Sequence, residues 1–207
     1  LRTNPAYADD LETGRIGVIT MQEMDQTTGR TDLESGRMRV RDAIEYAKGF
    51  RREMCPVSDL TLGVKCGASG PFSGITANPL LGRVADRFVR LGATVLITEF
   101  PEFFGAVHTV LRRCVSRAVY DKTASAFARY RDELRSAGEA VDTNPSKGNV
   151  VAGLTTLAQK SLGAVLKGGC GPVVDCLDYG EPAAAGQAGL ALCYGPGNDP
   201  TAITTLE

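Results

Sequence analysis

One stretch constrains this chain more than any other. An apolar run at residues 60–64 leads into the small-residue loop Cys66-Gly67-Ala68-Ser69-Gly70-Pro71-Phe72-Ser73-Gly74-Ile75-Thr76-Ala77-Asn78-Pro79. A helical pattern at 79–91, Gly92 and a second apolar, β-branched run at 93–100 follow. Strand, helix and strand in that order make a βαβ unit, with parallel strands and a right-handed crossover. Parallel strands end at one edge of their sheet, where open α/β sheets bind ligands. Cys66 follows the first strand, Glu99-Phe100-Pro101-Glu102 ends the second, and the sole histidine, His108, comes soon after. One thiol, two carboxylates and one imidazole are therefore expected near two strand ends. The glycine- and hydroxyl-rich loop lets N–H groups and oxygens converge on an anion or a metal.

Composition narrows the classes. With 207 residues, 43% of them hydrophobic, the chain can bury the core of one large domain or two small ones. Its net charge of −1 gives no electrostatic ground for nucleic acid or an acidic membrane as partner. No apolar run approaches the ~20 residues that a bilayer requires. Six cysteines without a CxxC pair read as reduced thiols. The start, Leu1-Arg2-Thr3-Asn4, has neither an initiator Met nor a signal-peptide pattern, so a fragment of a cytoplasmic protein is expected.

Along the chain, residues 1–14 are expected to be loosely held, and residues 15–207 to form part of a layered α/β domain. A strand is expected at 15–21, a loop at 26–36, and a surface helix at 37–54 burying a stripe of Val40, Ile44, Ala47 and Phe50 before Pro56. The 79–91 helix places Leu80, Val84, Phe88 and Leu91 on one face, with Val84 and Phe88 joining Leu62, Val64, Val95 and Ile97 in one core. Further on, the pattern predicts a long helical stretch at 103–138 broken near 120–123, a turn at 144–149, a helix at 153–167, a strand at 172–177 and an apolar run at 190–193.

Several blocks in register carry a family resemblance. They are Gln22-Glu23-Met24, Leu62-Gly63-Val64-Lys65-Cys66-Gly67, Phe72-Ser73-Gly74-Ile75-Thr76-Ala77-Asn78-Pro79, Thr98-Glu99-Phe100-Pro101-Glu102, Gly105-Ala106-Val107-His108, Asn144-Pro145-Ser146-Lys147-Gly148-Asn149, Gly153-Leu154-Thr155-Thr156 and Lys160-Ser161-Leu162-Gly163. In these the chain resembles the large catalytic region of the altronate and galactarate dehydratases. The resemblance implies a Rossmann-like parallel sheet flanked by helices, ferrous iron as cofactor, a small sugar-acid substrate, and a homodimer with a small N-terminal domain or subunit. Three positions depart from the family pattern. Gly67-Ala68-Ser69-Gly70 replaces Gly-Gly-Ser-Asp, Asp25-Gln26 replaces a glycine pair, and Val107 replaces a glutamate.

Dehydrating a 2,3-dihydroxy acid removes a proton beside the carboxylate and expels water, chemistry that a divalent metal assists. Mixed thiolate, imidazole and carboxylate donors suit ferrous iron better than magnesium. Under the resemblance, Cys66, His108 and Glu99 or Glu102 are the metal candidates, and the other glutamate is the acid or base. Ser69, Ser73, Thr76, Lys147 and Asn149 are the candidates for holding the substrate. Each has an alternative. Cys66 suits a buried structural thiol, His108 a helix surface, the glutamates a helix N-terminus, and the hydroxyls loop hydrogen bonds. Asn78-Pro79 reads as a helix cap, Lys160 as a charge on a helix face, and Cys114, Cys170, Cys176 and Cys193 as structural. A sulfo-lyase acting on a sulfonated hydroxy acid and a non-catalytic anion-binding domain are the competing functions.

Overall fold

In the computed structural model the chain opens with a 3₁₀ turn and helix α1 (Ala8–Glu12), and helix α2 spans Asp32–Lys48. Residues 5–17, 32–66, 69–98, 100–184 and 186–195 are described. Two compact units result, Leu1–Met54 and Cys55–Glu207.

The first unit departs from expectation in three ways. Residues 15–17 are not a strand, and the rest of that stretch lies outside the described residues. The Ile16 N–H donates to the Asp10 carbonyl at 2.9 Å and Arg15 pairs with Asp10 at 3.1 Å, so the chain ties back onto α1 instead. Helix α2 begins inside the expected loop, because Gly36 alone is tolerated within a run of good helix formers. It stops at Lys48, well before Pro56. The stripe expected to be buried is open to solvent: Val40 is 59% exposed and Phe50 63%. Among the described residues this unit offers only the five-residue α1 as a second helix, too little to cover a helix of 17 residues.

The second unit holds the sheet. Strand β1 (Thr61–Val64), helix α3 (Ala77–Arg90) and strand β2 (Thr94–Ile97) form the expected βαβ unit, with Leu62 opposite Val95 and Val64 opposite Ile97 in parallel register. Helices α4 (Val107–Leu111), α5 (Arg117–Ser136), α6 (Lys147–Val151) and α7 (Leu157–Val165) lead to strands β3 (Val173–Leu177) and β4 (Gly189–Cys193). The sheet order is β1-β2-β4-β3, parallel throughout. The long helical stretch breaks before Arg117 and not near 120–123, because Ser116 caps α5 by accepting from the Val119 N–H at 3.2 Å.

Period-2 alternation sorts the strand residues. Val64, Val95, Ile97, Val173, Cys176, Leu190 and Leu192 face a core shared with α3, α5 and α7. Leu96, Leu177, Ala191 and Cys193 face the other way, with Ala183 beside them. Phe100 and Phe127 stack at 4.2 Å between ring centres near the ends of the strands. Helix α3 buries a face next to the expected one. Leu80 is 66% exposed and Val84 40%, whereas Gly82 and Ala85 are buried and Leu81, Phe88 and Val89 pack on the core. A side chain at Gly82 would collide with the Leu166 carbonyl, so close approach of two backbones, and not bulk, sets the helix's rotation.

Candidate functional site

Helix α7 organises the site. Thr156 caps it, accepting from the Gln159 N–H at 3.1 Å, while Gln159 Oε1 accepts from the Thr155 N–H at 3.0 Å. Its buried positions are Lys160, Ser161, Ala164 and Val165. Lys160 is therefore no exposed helix-face charge: it is 8% exposed. Its ammonium donates to Glu102 Oε1 at 2.8 Å, Asn144 Oδ1 at 2.8 Å and Asn149 Oδ1 at 2.9 Å. An ammonium has three N–H donors, so these three oxygens satisfy it.

Each partner arrives on a different element. Glu102 sits in the 3₁₀ turn Phe100–Phe103 after β2, whose Phe100 and Phe103 anchor it in the core. The chain then passes directly over α7. The Gly105 N–H donates to Ser161 Oγ at 3.0 Å, and a Cβ at Gly105 would come within 2.7 Å of the Ala158 Cα. Asn144 begins the turn before α6, at a cis bond to Pro145. Asn149 lies in α6, where Ser146 caps and donates its hydroxyl to Asn149 Oδ1 at 3.0 Å. The Asn149 amide reaches the Ser69 carbonyl at 3.0 Å and so ties the glycine-rich loop to the network.

Between that loop and α7 lies a cleft of about 270 Å³, small among ligand pockets of roughly 300–1,000 Å³. Ser69, Ser73, Asn78, Glu102, Lys160 and Lys167 bring polar groups to its lining. Gly74 and Gly163 approach each other closely; a Cβ on Gly163 would stand 3.3 Å from the Gly74 Cα. Asn78 does not cap α3, which begins at Ala77 after Thr76. Its amide instead donates across the cleft to the Gly163 carbonyl at 2.9 Å.

The expected residues divide accordingly. Ser69, Ser73 and Glu102 line the cleft and Asn149 braces it. Thr76 is exposed and its hydroxyl donates to the Phe72 carbonyl at 2.6 Å. Lys147 is exposed and does not line the cleft. Cys66 is half-buried after β1, and His108 is exposed on α4. Glu99 lies outside the described residues. Among the described residues no group of three or more His, Cys, Asp and Glu side chains is placed to hold a metal ion. Burial pushes the thiols of Cys176 and Cys193 up to about 12, as befits core thiols. Sequence reasoning missed Lys160 and Lys167 as site residues. Their spacing carried no such signal, since Lys160 lies on α7 and Lys167 in the 3₁₀ turn Leu166–Gly168 after it.

The second unit is thus an α/β layer of parallel strands with a small polar cleft between the glycine-rich loop and α7. Residues 57–207 match the model of the D-galactarate/altronate dehydratase family, C-terminal, and the chain belongs to that family. It is 41% identical over 175 residues to an altronate dehydratase of Bacillus subtilis, covering 84% of this chain and 35% of that protein. With an altronate dehydratase of Escherichia coli it shares 34% over 197 residues, 95% of this chain and 38% of that one. The beta subunit of a (2R)-sulfolactate sulfo-lyase from Chromohalobacter salexigens is 32% identical over 146 residues, 70% of this chain and 38% of that one. The chain thus spans little more than a third of each relative's length. No helix among the described residues is long and apolar enough to cross a membrane.

Proposed function

We propose that the full-length protein is a hydro-lyase that dehydrates a sugar acid such as altronate or galactarate, with this chain supplying one wall of the site within a Rossmann-like catalytic domain. The observation that carries this reading is the buried Glu102–Lys160 pair opening on a small polar cleft, in a chain of this family. In this reading Lys160 holds Glu102 Oε1, and Oε2 takes the proton from the carbon beside the substrate carboxylate. The electron pair left behind forms the double bond as the hydroxyl on the next carbon departs, and that hydroxyl leaves as water with a proton returned by Glu102 or by solvent. The two asparagines keep the ammonium in place, so the carboxylate has a fixed position when the substrate arrives. Ser69 and Ser73 bring hydroxyls that suit the sugar's own.

Ferrous iron is proposed for the full-length protein, where it would polarise the carboxylate and the departing hydroxyl. The described residues do not assemble its ligand set by themselves, so no step here depends on it. Cys66 is the soft donor this chain would contribute. Anaerobic iron analysis of full-length Cys66→Ala should show lost iron, and unchanged iron content would remove Cys66 from the set.

The function is tested by assaying the folded full-length protein on a panel of aldonates and aldarates. Dehydration of at least one is expected, with Glu102→Gln lowering turnover by roughly 10²–10⁴-fold, the usual reach of general acid–base catalysis. No dehydration of any panel member, or full turnover by the variant, overturns the reading. Similarity to the sulfo-lyase subunit favours a second reading, elimination of sulfite from a sulfonated hydroxy acid. Sulfite release from sulfolactate separates the two.

A further inference from the structure

We propose that Asn78 is a specificity-determining residue of the cleft, its Oδ1 accepting a hydrogen bond from a hydroxyl of the bound acid. This rests on reading the cleft as a hydroxy-acid site. The Asn78 amide can face only one way. Its partner across the cleft is the Gly163 carbonyl at 2.9 Å, and a carbonyl oxygen only accepts, so the amide nitrogen faces it and Oδ1 is turned from it. Gly163 lies in the last turn of α7, whose carbonyls lack partners within the helix and need an outside donor. The Asn78 backbone N–H donates to the Ser73 carbonyl at 2.9 Å, which fixes the chain that carries the amide.

Among the described residues no donor is bonded to Oδ1. Nor is this oxygen one of the buried side-chain polar atoms left without a partner, so it is open. Asn78 is half-buried and lines the cleft, and the result is an oriented, unoccupied acceptor on a held backbone. Lys160 is the opposite case, with all three of its N–H groups taken inside the protein. What such an acceptor selects follows from its chemistry. A hydroxyl can donate to it, whereas an ionised carboxylate or sulfonate offers acceptors only. The hydroxyl-bearing chain of the acid therefore lies against Asn78, and the charged end lies elsewhere. A site with a positioned partner for a hydroxyl discriminates against an analogue that lacks it, because the partner is then left unpaired. Little ordering is left to be done on association, since the amide is anchored beforehand.

The test is calorimetric binding to the full-length protein of galactarate, altronate and the monodeoxy forms of each, which lack one hydroxyl at a time. Wild type should bind a parent acid, and bind one of its monodeoxy forms about 10-fold more weakly for want of the bond to Oδ1. Asn78→Ala should weaken the parent acid by that same factor and leave the affinity for that one deoxy form unchanged. For the other deoxy forms the variant's loss should equal its loss for the parent. Asn78→Leu, closer to asparagine in volume, takes its place if the Ala variant lacks a cooperative unfolding transition. A purely structural role would weaken every acid by one factor, and that result overturns the proposal. Unchanged affinity for all the acids, or binding of neither parent acid, overturns it too. The dehydratase reading fails separately. The coupled loss without turnover of any acid removes the dehydratase and keeps the hydroxyl contact. Turnover with a uniform loss of affinity does the reverse.

Discussion

Two sets of ion pairs cross between elements of the second unit, made from the same residue types in opposite settings. At the end of β3, Lys122 of α5 bridges Asp175 at 2.9 Å and Glu181 at 3.1 Å, while Arg129 pairs with Asp178 and lies 4.1 Å from the centre of the Tyr194 ring. Lys122, Glu181, Arg129 and Asp178 are substantially exposed, Lys122 at 42%, and Asp175 is half-buried at 22%. Beside α7 the Lys160–Glu102 pair is at 8% and 10%. Water screens the first set, and pairs of that kind contribute about 0.2–1 kcal/mol. The second set has exchanged its water for protein oxygens, so losing one member leaves a buried charge with no compensation. Similar drawings of a salt bridge thus describe a fastening at the surface and a fixed polarity inside a cleft.

The largest effect should separate the two sets at once. Lys160→Met is expected to destabilise the second unit by about 3–5 kcal/mol, the range for breaking a buried pair from one side. Chemical unfolding measures it, and a loss under about 1 kcal/mol would place Lys160 with the surface pairs. A sharper form is the double change Glu102→Leu with Lys160→Met. Since both charges go, it should be less destabilised than Lys160→Met alone. A double variant worse than the single one would show that the asparagines and the glycine-rich loop depend on the ammonium itself.

Next in size is Gly105→Ala. The added carbon meets α7 backbone and not a flexible side chain, so about 1–3 kcal/mol is expected from overfilling, with Glu102 displaced. A neutral result would mean that the chain after Glu102 can move away from α7. Lys122→Ala should cost no more than about 1 kcal/mol.

The smallest expected effect is one of pH. The Arg129 guanidinium holds the Asp178 carboxyl below the usual aspartate range. A carboxyl depressed in the folded state contributes stability above its unfolded value of about 3.9, and that stability is lost as pH falls through the lower folded value. Unfolding of wild type and Asp178→Asn should therefore differ slightly at pH 6 and converge in strong acid. A gap that persists in acid would mean that Asp178 acts through shape and not charge.

Much of the scaffold was legible because period and punctuation sufficed. The β1-α3-β2 unit follows from two β-branched runs, a helical pattern and Gly92. Other features depend on what lies opposite. The buried face of α3 was misread because Gly82 and Ala85 carry almost no hydrophobic signal, although their smallness lets the turn after α7 come close. The stripe on α2 reads as a core face, yet the described part of its unit contains little to cover it. At the site, Ser69, Ser73, Glu102 and Asn149 could be singled out from their loops and strand ends. Lys160 could not, since its three acceptors come from segments separated in sequence, and a lysine on an amphipathic helix is normally read as pointing to water.

The Gly74–Gly163 contact works as an adjustment screw for molecular engineering. Two opposing backbones meet there with nothing between them, so one methyl group added on either side is a wedge of known thickness. A small library of alanine and serine at these two positions would vary the gap in steps of a few tenths of an ångström without touching Glu102, Lys160 or Lys167. With the cleft read as the proposed sugar-acid site, selecting such a library on acids of increasing chain length would translate a backbone distance into a ranking of acids.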